Sequence, residues 1–133
     1  MGQARVEGQS GAPRKLLIVD DEERFCRLLE RFFALKGYQV RSVCGGEEAL
    51  ALAAVFQPDV ALLDLLMPGM SGVDTLKGLK QLNPSIKVLV ISAADLEEVA
   101  RGAIKLGADS YVCKPADLPQ LERLVNGFCP ATN

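Results

Sequence analysis

Two short segments without a polar residue, each followed at once by aspartate, constrain the fold of this chain more than any other feature. Residues 16–19 (LLIV) precede Asp20 and Asp21, and residues 60–63 (VALL) precede Asp64. Strands that lack a polar face are typical of parallel sheets covered by helices on both sides. Because ligands of such sheets bind beyond the carboxyl ends of the strands, the aspartates predict a functional site at that edge.

Strand and helix patterns alternate along the rest of the chain. Apolar residues recur at helical spacing from Phe25 to Leu35, and Gly37 supplies a stop. Ser71 and Asp95 are expected helix N-caps, and Gly107 is expected to end the helix that Asp95 begins. The remaining predicted elements, in chain order, are residues 38–43, 46–56, 71–82, 86–91, 96–106, 110–113 and 118–128. Strands and helices in this alternation predict an α/β fold, a doubly wound three-layer sandwich around a parallel sheet.

Length and charge limit the classes of function. The 133 residues predict a single domain over residues 14–129, with a flexible tail at 1–13 and a short tail at 130–133. The net charge of -2 offers no basic surface for nucleic acid or anionic lipid. No histidine is present, which excludes an imidazole base, an imidazole metal ligand or a phosphohistidine formed within this chain.

Cysteine spacing and hydropathy indicate the compartment. The four cysteines form no CxxC pair, so they are expected to be separate reduced thiols. The N-terminus lacks the apolar stretch of a signal peptide. The longest apolar run, residues 49–56, is too short to span a membrane. We therefore expect a cytoplasmic protein without membrane contact.

Polar side chains follow the predicted strands at the same edge of the sheet. Beyond the aspartates, Ser92 and Lys114 follow later strands. Each residue alone has a structural explanation: Asp21 as a helix cap, Asp64 as a turn residue, Ser92 as a loop hydroxyl and Lys114 as a surface lysine. Their coincidence at four strand ends instead predicts one site.

The charges of that site indicate its chemistry. Neighbouring strands lie about 4.8 Å apart, so the aspartates that follow them would repel one another. Hard oxygen ligands of this kind suit Mg²⁺, with Mn²⁺ as a substitute. A divalent cation, the Lys114 ammonium and the Ser92 hydroxyl are together the groups that hold a phosphoryl group.

The chain resembles the receiver domain of two-component response regulators, including the stand-alone chemotaxis type. Four motifs in order carry the resemblance, which runs from about residue 15 to residue 128: LLIVDDE (16–22), ALLDLLMPGMSG (61–72), VLVISA (88–93) and GADSYVCKP (107–115). The resemblance implies a flavodoxin-like, five-stranded sheet in the order 2-1-3-4-5.

By this resemblance Asp64 is the phosphoacceptor, which would form an aspartyl phosphate. Asp21 and Asp64 would bind Mg²⁺ directly, and Asp20 directly or through water. The backbone carbonyl of Leu66 would be a further metal ligand. The chain would then be a signalling domain rather than an enzyme, assisting only its own phosphotransfer and dephosphorylation.

The resemblance also assigns the phosphoryl contacts and the conformational switch. Ser92, the Ala93 backbone N–H and Lys114 would bind the phosphoryl group, and Pro115 would follow a cis peptide bond. Ser92 and Tyr111 would form the switch, which repacks the face made by the fourth helix, fifth strand and fifth helix. Phosphorylation would act by shifting the population toward the active state.

Partners follow from the same resemblance. The phosphodonor would be a sensor histidine kinase or a histidine phosphotransfer protein, since this chain has no histidine. A downstream protein or an output domain would bind the switching face. Two settings stay open: a stand-alone protein, or the receiver of a longer DNA-binding transcriptional regulator.

Other classes on a similar sheet fit the sequence less well. A small Mg²⁺-dependent phosphatase of the haloacid-dehalogenase type would require DxDx[TV], but residues 20–23 read DDEE. A flavodoxin-like redox carrier would require a Ser/Thr/Gly-rich phosphate loop after the first strand, where these acidic residues would repel FMN. A P-loop enzyme would require GxxxxGK[ST], which is absent from the sequence.

Overall fold

The computed structural model describes residues 14–66, 71–93 and 97–128. Strands and helices alternate throughout, as the sequence predicts. In chain order the elements are β1 (Lys15–Val19), α1 (Glu23–Leu35), β2 (Gln39–Val43), α2 (Gly46–Phe56), β3 (Val60–Leu63), α3 (Gly72–Leu82), β4 (Lys87–Ser92), α4 (Glu97–Lys105), β5 (Ser110–Cys113) and α5 (Leu118–Phe128). The tails expected at 1–13 and 130–133 lie outside the described residues.

The strands form one parallel sheet in the order β2-β1-β3-β4-β5. The predicted doubly wound α/β fold and its strand order are therefore confirmed. The central pairing sets Val19 of β1 opposite Leu63 of β3. Because those residues are the last of their strands, the aspartates that follow leave the sheet side by side.

The sheet separates two hydrophobic clusters. Alternate residues of β1 face opposite sides, so Leu16 and Ile18 join one cluster and Leu17 and Val19 join the other. The first cluster lies under α1 and α5, which explains why these strands need no polar face. The second contains residues from α2, α3 and α4, where small alanines let helices pack closely on the sheet.

Local signals account for several of the helix ends. The Ser71 side chain accepts a hydrogen bond from the Asp74 N–H at 3.1 Å, which confirms the predicted N-cap of α3. Gly37 and Gly107 follow α1 and α4 with φ of 96° and 112°, in the left-handed region where glycine is favoured. Asp95, the expected cap of α4, lies outside the described residues.

Several predicted boundaries were wrong by one or two residues. β2 begins at Gln39 rather than at Tyr38, because the buried Tyr38 ring packs edge-on against Phe33 before the strand ladder starts. β4 covers Lys87–Ser92 instead of residues 86–91, since the ladder continues until Ser92 pairs with Cys113. The residue before α1 is Glu22, not Asp21, and it makes no side-chain cap.

Candidate functional site

Three aspartates meet at the carboxyl ends of β1 and β3. The Asp64 N–H bonds the Val19 carbonyl at 2.9 Å and the Asp20 N–H bonds the Val43 carbonyl at 3.2 Å, so the sheet ladder fixes both residues. One carboxylate oxygen from each of Asp20, Asp21 and Asp64 lies within 4.8 Å of the others. Asp20 and Asp64 are buried and Asp21 is exposed, which leaves the cluster accessible from one side.

Backbone amides orient two of these carboxylates. Asp20 Oδ1 accepts a hydrogen bond from the Glu22 N–H at 2.9 Å. Asp64 Oδ1 accepts one from the Leu66 N–H, also at 2.9 Å. Each aspartate therefore uses one oxygen to fix the loop that follows its strand. The metal bond expected from the Leu66 carbonyl stays a prediction.

Lys114 extends from the end of β5 into the acidic cluster. Its Nζ lies 2.8 Å from Asp20 Oδ2 and 3.2 Å from Asp64 Oδ2. A third carboxylate, Glu22 Oε1, lies 2.5 Å away. The ammonium also stands 4.8 Å from the centre of the Phe25 ring, a cation–π contact. The sequence-predicted lysine is thus bound to the predicted aspartates.

Burial and neighbouring charges shift the pKa values of Asp20 and Lys114. Burial raises the pKa of Asp20 above its ordinary 3.8, although hydrogen bonds from Lys114 and the Glu22 amide oppose the shift. Burial alone would lower the pKa of Lys114, but its hydrogen bonds with Asp20 and Glu22 outweigh burial and raise it. Lys114 is therefore a fixed positive charge at neutral pH.

The remaining predicted residues lie around this cluster at different depths. Ser92 is fully buried at the end of β4, and its carbonyl accepts the Lys114 N–H at 2.8 Å. Ala93 is exposed and lines the open side of the site. The Lys114–Pro115 peptide bond is cis. Tyr111 is partly buried against the cluster that contains α2, α3 and α4, and it is not among the residues that line the cleft.

An open cleft leads to the carboxylates. The residues that line it are Asp21, Glu22, Phe25, Leu28, Asp64, Leu66, Ala93, Lys114, Pro115 and Ala116. Sequence reasoning missed Glu22 and Phe25, which both contact Lys114. The acidic run of residues 20–22 was the available signal, because its third carboxylate also lies beyond β1.

Carboxylates and a lysine at the carboxyl end of a doubly wound parallel sheet define a class of site suited to a metal ion and a phosphoryl group. The family model for the response regulator receiver domain matches residues 16–126. The chain therefore belongs to the response regulator receiver domains, and it is a phosphorylation-activated signalling receiver. The phosphatase alternative is not supported.

Curated relatives include both short and long proteins. The chain is 33% identical over 116 residues to sporulation initiation phosphotransferase F of Bacillus subtilis, covering 87% of this chain and 94% of that protein. It is 39% identical over 114 residues to regulatory protein AtoC of Escherichia coli, covering 86% of this chain but 25% of AtoC. The chain thus spans only part of some relatives that it matches.

Solved structures agree with the fold. A CheX–CheY–BeF3–Mg complex from Borrelia burgdorferi matches with a TM-score of 0.86 at 26% identity, covering 94% of this chain and 96% of that chain. A Burkholderia pseudomallei response regulator with a phosphorylated aspartic acid, calcium ion and citrate matches with a TM-score of 0.78 at 32% identity, covering 82% of this chain and 64% of that chain.

Two properties are general among response regulator receivers. Response regulator receivers bind Mg²⁺ at an acidic cluster of the kind described above, and they interact with histidine kinases or phosphotransfer proteins. Among the helices within residues 14–66, 71–93 and 97–128, none is long and apolar enough to cross a membrane.

Proposed function

We propose that Asp64 is the phosphoacceptor of this receiver. The observation that carries the proposal is the 3.2 Å contact between Asp64 Oδ2 and Lys114 Nζ at the bottom of an open cleft. An ammonium at this distance neutralises charge on both the carboxylate and an incoming phosphoryl group. Asp20 also touches Lys114, but Asp64 is among the residues that line the open cleft and Asp20 is not.

The donor set fits a hard divalent cation. Asp20, Asp21 and Asp64 each offer a carboxylate oxygen within a small radius, and one of them is exposed. We assign them as ligands of Mg²⁺, with the Leu66 carbonyl as a further ligand and Mn²⁺ as a substitute. When bound, the cation supplies positive charge that stabilises the phosphoryl oxygens during transfer.

The reaction that these residues support is a phosphoryl transfer between proteins. An Asp64 carboxylate oxygen attacks phosphorus on a phosphohistidine of the partner, the P–N bond breaks, and the leaving imidazole takes up a proton. Asp64 becomes an aspartyl phosphate. Lys114, the Ser92 hydroxyl and the Ala93 N–H hold the phosphoryl oxygens, so positioning and charge neutralisation carry the catalysis.

The output of the receiver follows from Ser92 and Tyr111. Ser92 lies fully buried where β4 ends, and Tyr111 lies on the neighbouring strand, opposite Val90. Movement of Ser92 toward the phosphoryl group frees space into which the Tyr111 ring turns. The face formed by α4, β5 and α5 then binds a downstream protein or an output domain more tightly in the phosphorylated state.

Mg²⁺-dependent labelling with acetyl phosphate tests the acceptor. Wild-type protein is expected to gain one phosphoryl group by intact mass, and Asp64→Asn to gain none, because the amide is a far weaker nucleophile. Asp59→Asn is the matched control: Asp59 precedes the same strand at its opposite end, where it accepts the Lys15 N–H at 2.8 Å. Labelling of Asp64→Asn at the wild-type rate would falsify the assignment.

A further inference from the structure

Glu22 makes the shortest contact to Lys114 and belongs to none of the groups assigned so far. Its Oε1 lies 2.5 Å from Lys114 Nζ, closer than the oxygens of Asp20 and Asp64. It lines the cleft but is not part of the three-carboxylate cluster. Its side chain is 61% exposed, whereas those of Asp20 and Asp64 are buried. Glu22 therefore holds the lysine from the solvent side.

We propose that Glu22 is a positioning residue that holds Lys114 at the mouth of the cleft and competes with the incoming phosphoryl group for its ammonium. The inference rests on the proposed phosphoacceptor role of Asp64. In this arrangement, a phosphoryl group gains Lys114 only by displacing the Glu22 carboxylate. Glu22 consequently slows phosphorylation by small, weakly held donors.

The backbone fixes where Glu22 can reach. The Glu22 N–H bonds Asp20 Oδ1, and the Glu22 carbonyl accepts the Cys26 N–H at 3.0 Å in the first turn of α1. Both bonds anchor the residue beside the acidic cluster. Its side chain is thus placed at the cleft on the exposed side of Lys114, the side from which a phosphodonor must approach.

The charge balance favours competition over assistance. Four carboxylates, those of Asp20, Asp21, Glu22 and Asp64, share this part of the molecule with the Lys114 ammonium, which contacts all of them except Asp21. A bound divalent cation leaves the cleft negative by one charge before a phosphoryl group arrives. Removing the Glu22 charge brings that sum to zero and releases one hydrogen-bond partner of Lys114, so an anionic donor meets less repulsion.

The test compares two neighbouring, exposed glutamates that have different partners. Glu23 is the next residue, is similarly exposed, and pairs with Arg27 at 2.6 Å instead of with Lys114. With Mg²⁺ present, Glu22→Gln is expected to raise the second-order rate of labelling by acetyl phosphate about fivefold, whereas Glu23→Gln changes it less than about twofold. Equal rates for the two variants, or a slower Glu22→Gln, would overturn the proposal.

A double-mutant cycle separates positioning from general charge effects. In a Lys114→Gln background, Glu22→Gln is expected to accelerate labelling clearly less than it does in the wild-type background, because release of Lys114 no longer contributes and only the reduced repulsion remains. An undiminished acceleration in that background contradicts the inference. Failure of the proposed function gives a different result: wild-type protein then labels no better than Asp64→Asn, whatever residue stands at position 22.

Discussion

Lys114 connects the chemistry of the site to its electrostatics. Its ammonium is shared among Asp20, Glu22 and Asp64, and its side chain is 14% exposed. One positive charge cannot neutralise this number of carboxylates, and burial, the main cause of the raised pKa of Asp20, makes the negative charge of that side chain costly. The carboxylates of the site therefore repel one another, and this repulsion favours binding of a divalent cation, whose charge then also attracts a phosphoryl group.

Asp20→Asn tests the cost of burying the Asp20 charge, measured through the stability of the protein. Because burial raises the pKa of Asp20 in the folded state, the native protein binds a proton more tightly than the unfolded chain. Wild-type stability then falls as pH rises from the ordinary value of 3.8 through the raised value. With EDTA present, Asp20→Asn is expected to unfold at a higher urea concentration than wild type at pH 7, because the neutral amide avoids the cost of a buried charge.

The stability difference between Asp20→Asn and wild type is expected to depend on pH. The advantage of the variant over wild type is expected to shrink as pH falls through the raised pKa and below 3.8, where the carboxyl becomes protonated in both states. Glu23→Gln, which alters an exposed ion pair, serves as the control and is expected to change stability little at either pH. A destabilised Asp20→Asn at pH 7 would show that its bond with Lys114 outweighs its burial.

Residues differ in how far sequence reveals them. Asp20, Asp21, Asp64 and Lys114 follow apolar strands, and parallel strand ends meet at one edge, so their proximity was predictable. Glu22 was not, since a carboxylate at the start of a helix is common and its rotamer depends on where Lys114 lies. Glu22 and Lys114 are far apart in the sequence, and the contact between them forms only in the folded protein.

At the scale of elements, the connection from β3 to α3 shows how tightly the site is framed. A Cβ added to Gly72 would lie 2.2 Å from Leu65 Cα, so the start of α3 packs directly on the loop after Asp64. Gly72 is buried, and the neighbouring Ser71 caps the helix. The helix start and the acceptor loop are therefore held as one unit.

Gly72→Ala is expected to disrupt that unit. The added methyl meets backbone rather than a flexible side chain, so the expected loss is about 3 kcal/mol in urea unfolding. Gly102→Ala is the matched control, because Gly102 lies inside α4 and its added Cβ meets nothing within 4 Å. This variant is expected to gain up to about 1 kcal/mol from helix propensity. Equal effects of the two substitutions contradict the packing interpretation.

Element boundaries were less predictable than element types. Periodicity identifies α1 from its apolar residues, but Glu23 and Arg24 are polar and exposed, so the pattern begins later than the helix. The N-cap of α3 was predictable because a serine side chain bonds the backbone locally. The strand predicted over residues 38–43 includes Tyr38, whereas packing of its ring on Phe33 decides its position in the folded protein.

At the scale of the whole molecule, the alternation of elements determined the fold class but not the strand order. Strands with apolar side chains on both faces must be covered by helices on both sides, because otherwise one face would be exposed to water. Nothing in the periodicity of β2 says that it pairs with β1 at one edge of the sheet. That order came from the resemblance to a family, and the β1–β3 pairing it contains is what brings Asp20 and Asp64 together.

Metal binding is expected to stabilise the entire domain by linkage. At a free Mg²⁺ concentration about ten times its Kd, the free energy of unfolding should rise by about 1.4 kcal/mol, and EDTA should reverse the gain. Asp21→Asn is expected to lose most of this effect, because it removes one of the three carboxylates assigned as metal ligands. Asp21 is the exposed member of the cluster, so the substitution changes no buried side chain. Asp59→Asn, altered at the far end of β3, should keep it. An equal Mg²⁺ response in Asp21→Asn contradicts its role as a ligand.

The division of the interior by the sheet has a consequence for divergence among receivers. The hydrophobic cluster under α1 and α5 is separate from the cluster under the other helices, because the backbone of the strands lies between them. Side chains of one cluster therefore do not pack against those of the other. Each half can accumulate compensating exchanges within itself. Substitutions that repack the helices on one side of the sheet therefore need not disturb the strand ends that hold the acidic residues.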